Sequence, residues 1–341
     1  MKRNLFLIDC ESQEVKSISE CLDNTSSKFE TKVCIANWPY NNGIRNFWRY
    51  VLYFIFPLSV MLGRGRYGTV IAWQQFYAIG LSFWSRLFHV KKCDMLVAMN
   101  FTYKRKKGIL GKIYHGFMKY GCRNVDYFHV LSHEYVGVCC NELGIGREHF
   151  IVTSFGIPDT YSDMKDLEVD FKGEYVLSIG RSNRDFDFLV KVWEQDCLKD
   201  KQLVIISDVW QPSCDLPANI IHRGDIGYKD SFAWIKNCTV SIVPIADGKI
   251  CSGDTTLLTA MMFGHPVVVT TPSTLAEMYV KDNINGICVP KDIHAATSEI
   301  ACLLNDEARL KKLGRNAREI FASNYTRANM VRSLCTQIGL I

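Results

Sequence analysis

The chain has 341 residues, 48% hydrophobic and 22% charged, with 40 Lys and Arg against 35 Asp and Glu. It is too long for one ordinary hydrophobic core and comfortable for two, and its composition is that of a folded protein, not a disordered one. No low-complexity tract or short internal repeat is present, which excludes a solenoid.

In chain order, residues 4–9 form a short apolar run expected as a buried strand, with 32–36 and 69–73 as further strands, each followed by a helix-length segment. Residues 50–63 are the most hydrophobic stretch. They fall short of the roughly 20 apolar residues a membrane span needs, contain Pro57, and are flanked by Arg45, Arg49, Arg64 and Arg66. A core helix, or an interfacial helix with aromatic and basic flanks, fits them better. The second half reads as strands at 175–179, 203–207, 220–222, 240–244, 266–269 and 286–289, with helices at 187–194, 229–236, 256–263 and 294–304. Strands alternating with helices imply parallel sheets covered on both faces. The expected class is therefore α/β, with two Rossmann-like doubly wound domains facing an interdomain cleft. The polar, acidic segment 158–173 is the expected linker, and ligands are expected at the carboxyl ends of the strands.

Charge is uneven. Residues 1–155 hold twenty Lys/Arg against eleven Asp/Glu, and between Lys32 and Arg123 the only acid is Asp94 among fifteen bases. A long basic stretch inside a folded domain suggests an anionic partner. The four consecutive cations Lys104, Arg105, Lys106 and Lys107 are its densest part. No nucleic-acid module is recognisable, so an anionic membrane surface that the protein binds peripherally is the expected partner, and nucleic acid is not. The fourteen cysteines stand singly except for Cys139 and Cys140, without zinc spacing, and the N-terminus turns polar too early for a signal peptide. Free thiols in the cytoplasm and no metal are the expectation.

Three stretches fall where strand ends should present chemistry. Ser178-Ile179-Gly180-Arg181-Ser182-Asn183-Arg184-Asp185 follows a strand, and its two arginines offer fixed charge and paired donors suited to a diphosphate. In Cys251-Ser252-Gly253-Asp254-Thr255-Thr256, a small-residue loop runs into an apolar helix whose first N–H groups and hydroxyls can hold an anion. Ser252 or Asp254 could equally serve as a helix cap. The third stretch is Thr153-Ser154-Phe155-Gly156-Ile157-Pro158, where Gly156 could give way to a ligand or simply serve a turn. G-x-x-x-x-G-K-[ST] is lacking, and no G-x-G-x-x-G follows an expected strand, which removes the usual warrant for P-loop and dinucleotide-binding readings.

Together these stretches, with Leu216–Gly224 (Leu-Pro-Ala-Asn-Ile-Ile-His-Arg-Gly) and 277–290, resemble the family-4 retaining glycosyltransferases of GT-B architecture. In the first half, 71–77, with Trp73, Gln74 and Gln75, and 101–108 are similar to bacterial members that build surface polysaccharides such as lipopolysaccharide and capsule. The resemblance implies a hexosyl-type transferase moving a sugar from a nucleotide-sugar donor to a lipid-linked or polysaccharide acceptor, with retention and without metal or cofactor, at the inner face of the cytoplasmic membrane. It implies an acceptor domain at 1–157, a donor domain at 174–325 and a C-terminal helix, 326–341, packing back on the first domain. Carried over residue by residue, the donor site would comprise Gly156, Arg181, Arg184, Gly224, Asp225, Ile226, Ser252, Gly253, Asp254, Thr255, Thr256 and Thr259. Trp73, Gln74, Gln75 and Lys104–Lys107 would face acceptor or membrane. The sequence departs from the family at its Glu-x7-Glu pair, where Cys251 and Thr259 stand, and in the glycine-rich loop after the first strand. Asn100 or Phe101 takes the place of a histidine. No general base is identified; Glu11, Glu14 and Asp126 are candidates without a place. The alternative is a catalytically degenerate sugar-nucleotide-binding scaffold.

Overall fold

The computed structural model describes residues 2–9, 13–23, 28–34, 43–63, 65–164, 166–224 and 226–341, with only the backbone of 13, 14, 16, 228 and 229. Two compact units divide the chain: Met1–Pro158 with Arg327–Ile341, and Asp159–Thr326. Residues 159–173, expected as a linker, thus count with the second unit.

The first unit is built on β1 (Asn4–Ile8), β2 (Phe29–Val33), β3 (Tyr67–Ala72), β4 (Cys93–Ala98), β5 (Tyr127–Val130) and β6 (Phe150–Val152), all parallel, in the order β2-β1-β3-β4-β5-β6. Alternation along the strands supplies two cores. Leu5 and Leu7, Val70 and Ala72, and Leu96 and Ala98 face one side, where α2 (Gly43–Leu62), α3 (Gln75–Leu87), α4 (Gly108–Gly121) and α5 (His133–Leu143) pack. Phe6, Ile8, Ile71 and Val97 face the other. There α1 (Gln13–Asp23) leaves room that the C-terminal helix (Arg327–Gln337) fills with Met330, Val331, Leu334 and Cys335. The chain therefore returns to complete the back layer of its first sheet.

Helix α2 carries the apolar stretch 50–63 with Pro57 inside it. Proline removes the ladder bond to the Tyr53 carbonyl, and α3 closes on that turn through Gly80, where an added Cβ would lie 2.7 Å from Tyr53 O. Among the described residues no helix is long and apolar enough to cross a membrane.

The second unit orders β7 (Val176–Ile179), β8 (Leu203–Ile206), β9 (Ile220–Arg223), β10 (Val240–Val243), β11 (Val267–Thr271) and β12 (Gly286–Pro290) as β12-β11-β10-β7-β8-β9, all parallel. One face carries Val176, Leu203, Ile205, Ile242 and Ile287 under α6 (Phe186–Trp193) and a later helix, Ile293–Leu304. On the other, α7 (Tyr228–Asn237) and α8 (Asp254–Met262) pack together, and Leu257, Leu258 and Met261 of α8 are fully buried. The strands are apolar on both faces because both faces are covered.

The structure departs from the sequence reading in two places. The second strand is Phe29–Val33 and not 32–36, of which 35 and 36 lie outside the described residues. The reading has no strand at β4, β5 or β6: Asp94 and the buried His129 interrupt the apolar pattern of the first two, each of which pairs on both sides, and β6 is only three residues long.

Candidate functional site

In an open parallel sheet, loops diverge where the strand order reverses, and ligands collect at that switch point. In the second unit this falls between β7 and β10, so the loops of interest are 180–185 and 244–253. They are stitched together. Asn183, at φ 55°, accepts from Asp247 N (2.7 Å) through its side-chain oxygen and donates Nδ2 to the Asp247 and Ile250 carbonyls (3.0 and 3.1 Å). Its own carbonyl accepts from Ala246 N at 3.2 Å, and Ser252 Oγ donates to Ser182 O at 3.1 Å. Asp185 caps α6 by accepting from Phe188 N (3.2 Å) and pairs with Lys291 at 2.9 Å, whose Nζ also donates to Ala246 O.

Arg184 lies at the centre of this arrangement. Its guanidinium is so close to both loops that a Cβ on Gly253 would meet Nη2 at 2.6 Å, and one on Gly180 would meet Nε at 2.7 Å. Gly253, at φ 103°, precedes α8, and no side chain caps that helix there. The guanidinium thus lies beside the start of α8, where the positive end of the helix dipole also favours an anion. Arg184 Nη1 donates to Ser182 O at 2.8 Å, while the buried Nε has no partner. Burial pulls the Arg184 pKa down to about 10, opposed by the charge of Asp254. A desolvated cation with an unused donor is configured to receive an anion.

The other donor residues are placed as follows. Arg181 is paired with Asp208 at 2.7 Å and its side chain is 73% exposed. Thr255 is exposed at the start of α8, its N–H taken by Asp254 Oδ1 at 3.1 Å, and Thr256 is half-buried beside it. Thr259 is 2% exposed and donates its hydroxyl to Thr255 O at 2.7 Å, so the side chain is spent on its own helix. Gly224 and Ile226 follow β9 at the sheet's outer edge, with β7 and β8 between it and β10. Asp225 lies outside the described residues, as does Glu11. Gly156 is buried in the first unit, in the segment whose Ile157 carbonyl accepts from Arg327 N. Sequence reasoning missed the Asn183 clamp and the Asp185–Lys291 pair; a lone Asn after a strand is the available signal, since Asn tolerates φ > 0.

In the first unit the order reverses between β1 and β3. There Gln74 donates to Tyr53 Oη (3.2 Å) and Asp9 Oδ2 (3.5 Å), and Gln75 exchanges bonds with Thr102. Trp73, half-buried, lies under the buried Arg327, whose guanidinium carbon is 5.7 Å from the Trp73 ring centroid. Asp126, a candidate base, accepts from Leu96 N at 2.7 Å and holds the start of β5. Beside Gln75 opens a groove of about 780 Å³ lined by Tyr50, Phe54, Phe76, Tyr103, Tyr114, Phe117, Tyr135 and Val138, with Lys104, Arg105 and Lys106 at its edge. Among the described residues no cluster of metal-ligating side chains occurs.

With this geometry in hand, comparisons define the fold: it is that of the GT-B glycosyltransferases. The N-terminal domain of Candida albicans trehalose-6-phosphate phosphatase aligns with TM-score 0.67 at 10% identity, covering 100% of this chain and 97% of that one. Anabaena HepE in complex with UDP-glucose gives 0.62 at 12%, covering all of both chains. WaaG, a glycosyltransferase involved in lipopolysaccharide biosynthesis, gives 0.61 at 12%, covering 98% and 100%. More specifically, residues 173–306, the greater part of the second unit, match the family model described as Glycosyl transferases group 1. No protein of curated function matches the sequence.

Proposed function

We propose that the protein is a glycosyltransferase whose second unit binds the diphosphate of a nucleotide-sugar donor, and whose first unit meets a lipid-linked or polysaccharide acceptor at an anionic membrane surface. The observation that carries the donor reading is Arg184, held against Gly253 at the uncapped start of α8 with its Nε unpartnered. A guanidinium and a helix N-terminus can stabilise the charge that develops on a leaving diphosphate, and they do so in a fixed arrangement that needs no reorganisation. The UDP-glucose bound by HepE makes UDP-sugars the first donors to test. Retention of configuration, a hexosyl donor and independence of metal are part of the proposal and rest on the family resemblance.

The membrane reading rests on α4 and the segment before it. Ile109, Leu110 and Ile113 are 79%, 81% and 63% exposed next to Lys104–Lys107. An apolar helix face flanked by cations is the arrangement that binds anionic interfaces without spanning them. A second reading, donor binding without transfer, is favoured by Cys251 and Thr259, which stand where the family carries its Glu pair, with Thr259 tied to its own helix.

A panel of sugar nucleotides tests these readings by thermal stabilisation, followed by assay of donor hydrolysis. A ligand at 100 times its Kd should add about 2.7 kcal/mol. Stabilisation with turnover supports the transferase, and stabilisation without turnover supports the scaffold. No stabilisation by any sugar nucleotide removes both.

A further inference from the structure

We infer that the groove between α2 and α4 seats a lipid phosphate: a single prenyl or acyl chain between the aromatic walls and its phosphate among Lys104, Lys106 and Lys107. The inference deepens the acceptor reading above and rests on it.

The walls are largely aromatic. Tyr103 and Tyr114 stack with centroids 5.9 Å apart, and Phe54 and Phe117 meet at 5.2 Å across the two helices. The carboxylate and amide of the lining, and several of its hydroxyls, are already engaged. Gln75 and Thr102 bond each other, Tyr103 Oη bonds His115 Nδ1 at 2.6 Å, and Tyr135 Oη bonds the Tyr103 backbone. Glu142, the acid of the lining, is paired with Arg105 at 2.9 Å. A sugar ring needs free carboxylates and amides for its hydroxyls, and these groups are taken; an apolar chain needs none.

The cations are in the opposite condition. Lys104, Lys106 and Lys107 are exposed and make no ion pair among the described residues. Lys106 is held over the Tyr114 ring at 4.9 Å, at the edge of the groove. The segment stays there because Gly111 lets the Lys106 carbonyl lie on α4, where any Cβ would strike it. Open cations beside a closed-off apolar slot match a ligand with an anionic head and an apolar tail. The exposed Ile109, Leu110 and Ile113 on the same helix place that slot beside the surface expected to meet the bilayer.

Equilibrium binding of farnesyl monophosphate to the full chain, with farnesol, inorganic phosphate and maltotetraose as comparison ligands, tests this. Farnesyl phosphate should bind saturably, farnesol at least about tenfold more weakly, and the other two should not displace it. Filling the groove with Val138→Trp should abolish binding, and Tyr50→Asp, at an exposed rim position, should weaken it if Val138→Trp does not fold. The pair Lys104→Glu and Lys106→Glu should erase the preference for phosphate over alcohol and leave farnesol binding intact. Equal binding of farnesol, displacement by inorganic phosphate or by maltotetraose, or undiminished binding in both groove variants would overturn the inference. Nucleotide affinity, read on the same variants, belongs to the other unit: its loss in wild type would remove the donor reading and leave the groove result standing.

Discussion

Nearly all the large hydrophobic side chains exposed among the described residues belong to the first unit, chiefly on α2, on α4 and at the end of α3; the second unit adds only Tyr161, Val209, Ile250 and Ile284. The second unit instead concentrates its oddities in two loops, where a buried arginine donor has no partner. Both units use a six-stranded parallel sheet between helices. Under the proposed function, the same layered plan presents a surface for an extended, amphipathic partner in one unit and a point site for a compact anion in the other. This contrast also separates what should break when each is altered: stability and lipid contact in the first unit, nucleotide affinity in the second.

The largest expected effect is on the acid stability of the first unit. His129, fully buried in β5, donates from Nε2 to Thr153 Oγ1 at 2.7 Å and accepts from Asn100 N at Nδ1. Burial holds its pKa at about 4 instead of 6.5. Between these values the unfolded chain binds more protons than the folded one, so stability falls as pH drops from 6.5 towards 4, by up to about 3 kcal/mol. Urea titrations at pH 7 and pH 4.5 should show the loss in wild type and a much smaller loss in His129→Asn. An unchanged pH dependence in the variant would move the effect elsewhere.

Arg184→Ala should weaken nucleotide-sugar binding by about 1.5–3 kcal/mol, the range for a hydrogen bond to a charged group. Because burial already disfavours this cation, the ligand-free melting temperature should not fall. A drop in stability without a change in affinity would make Arg184 a structural residue and undo the contrast between the units. Gly80→Ala should cost about 1–3 kcal/mol by forcing α2 off α3, with nucleotide affinity unaltered in the folded fraction. Thr259→Ala should do least: about 0.5–1.5 kcal/mol of stability, from its bond to Thr255 O, and no change in affinity. Tightened or weakened nucleotide binding in Thr259→Ala would place that hydroxyl in the site after all.

The second unit was the easier to read because its strands are uniform apolar runs such as Leu203–Ile206, bounded by turns. Buried on both faces, most of them carry at most one small hydroxyl residue, such as Ser178 or Ser241, which does little to blur the run. In the first unit, β4 begins with Cys93-Asp94 after two lysines and β5 contains His129; these polar residues are accommodated by contacts from distant parts of the chain, which no local pattern announces. The site was legible as residue types, since Arg184 and Gly253 stand out after strand ends. Their junction depends on strand order, because β7 and β10 are neighbours only through the sheet's reversal. Thr259 shows what resemblance leaves out: it gives a position, whereas the direction of the hydroxyl, towards Thr255 O, is set by the helix it sits in.

The proposed donor site recognises a diphosphate through Arg184 and the start of α8. Calorimetric titration of the protein with UDP, UMP and uridine tests it most directly. UDP should bind at least about tenfold tighter than uridine, a gap of about 1.4 kcal/mol or more, with UMP between them and the gap falling as salt rises. Uridine binding as tightly as UDP, or UDP not binding at all while other nucleoside diphosphates also fail, would contradict it.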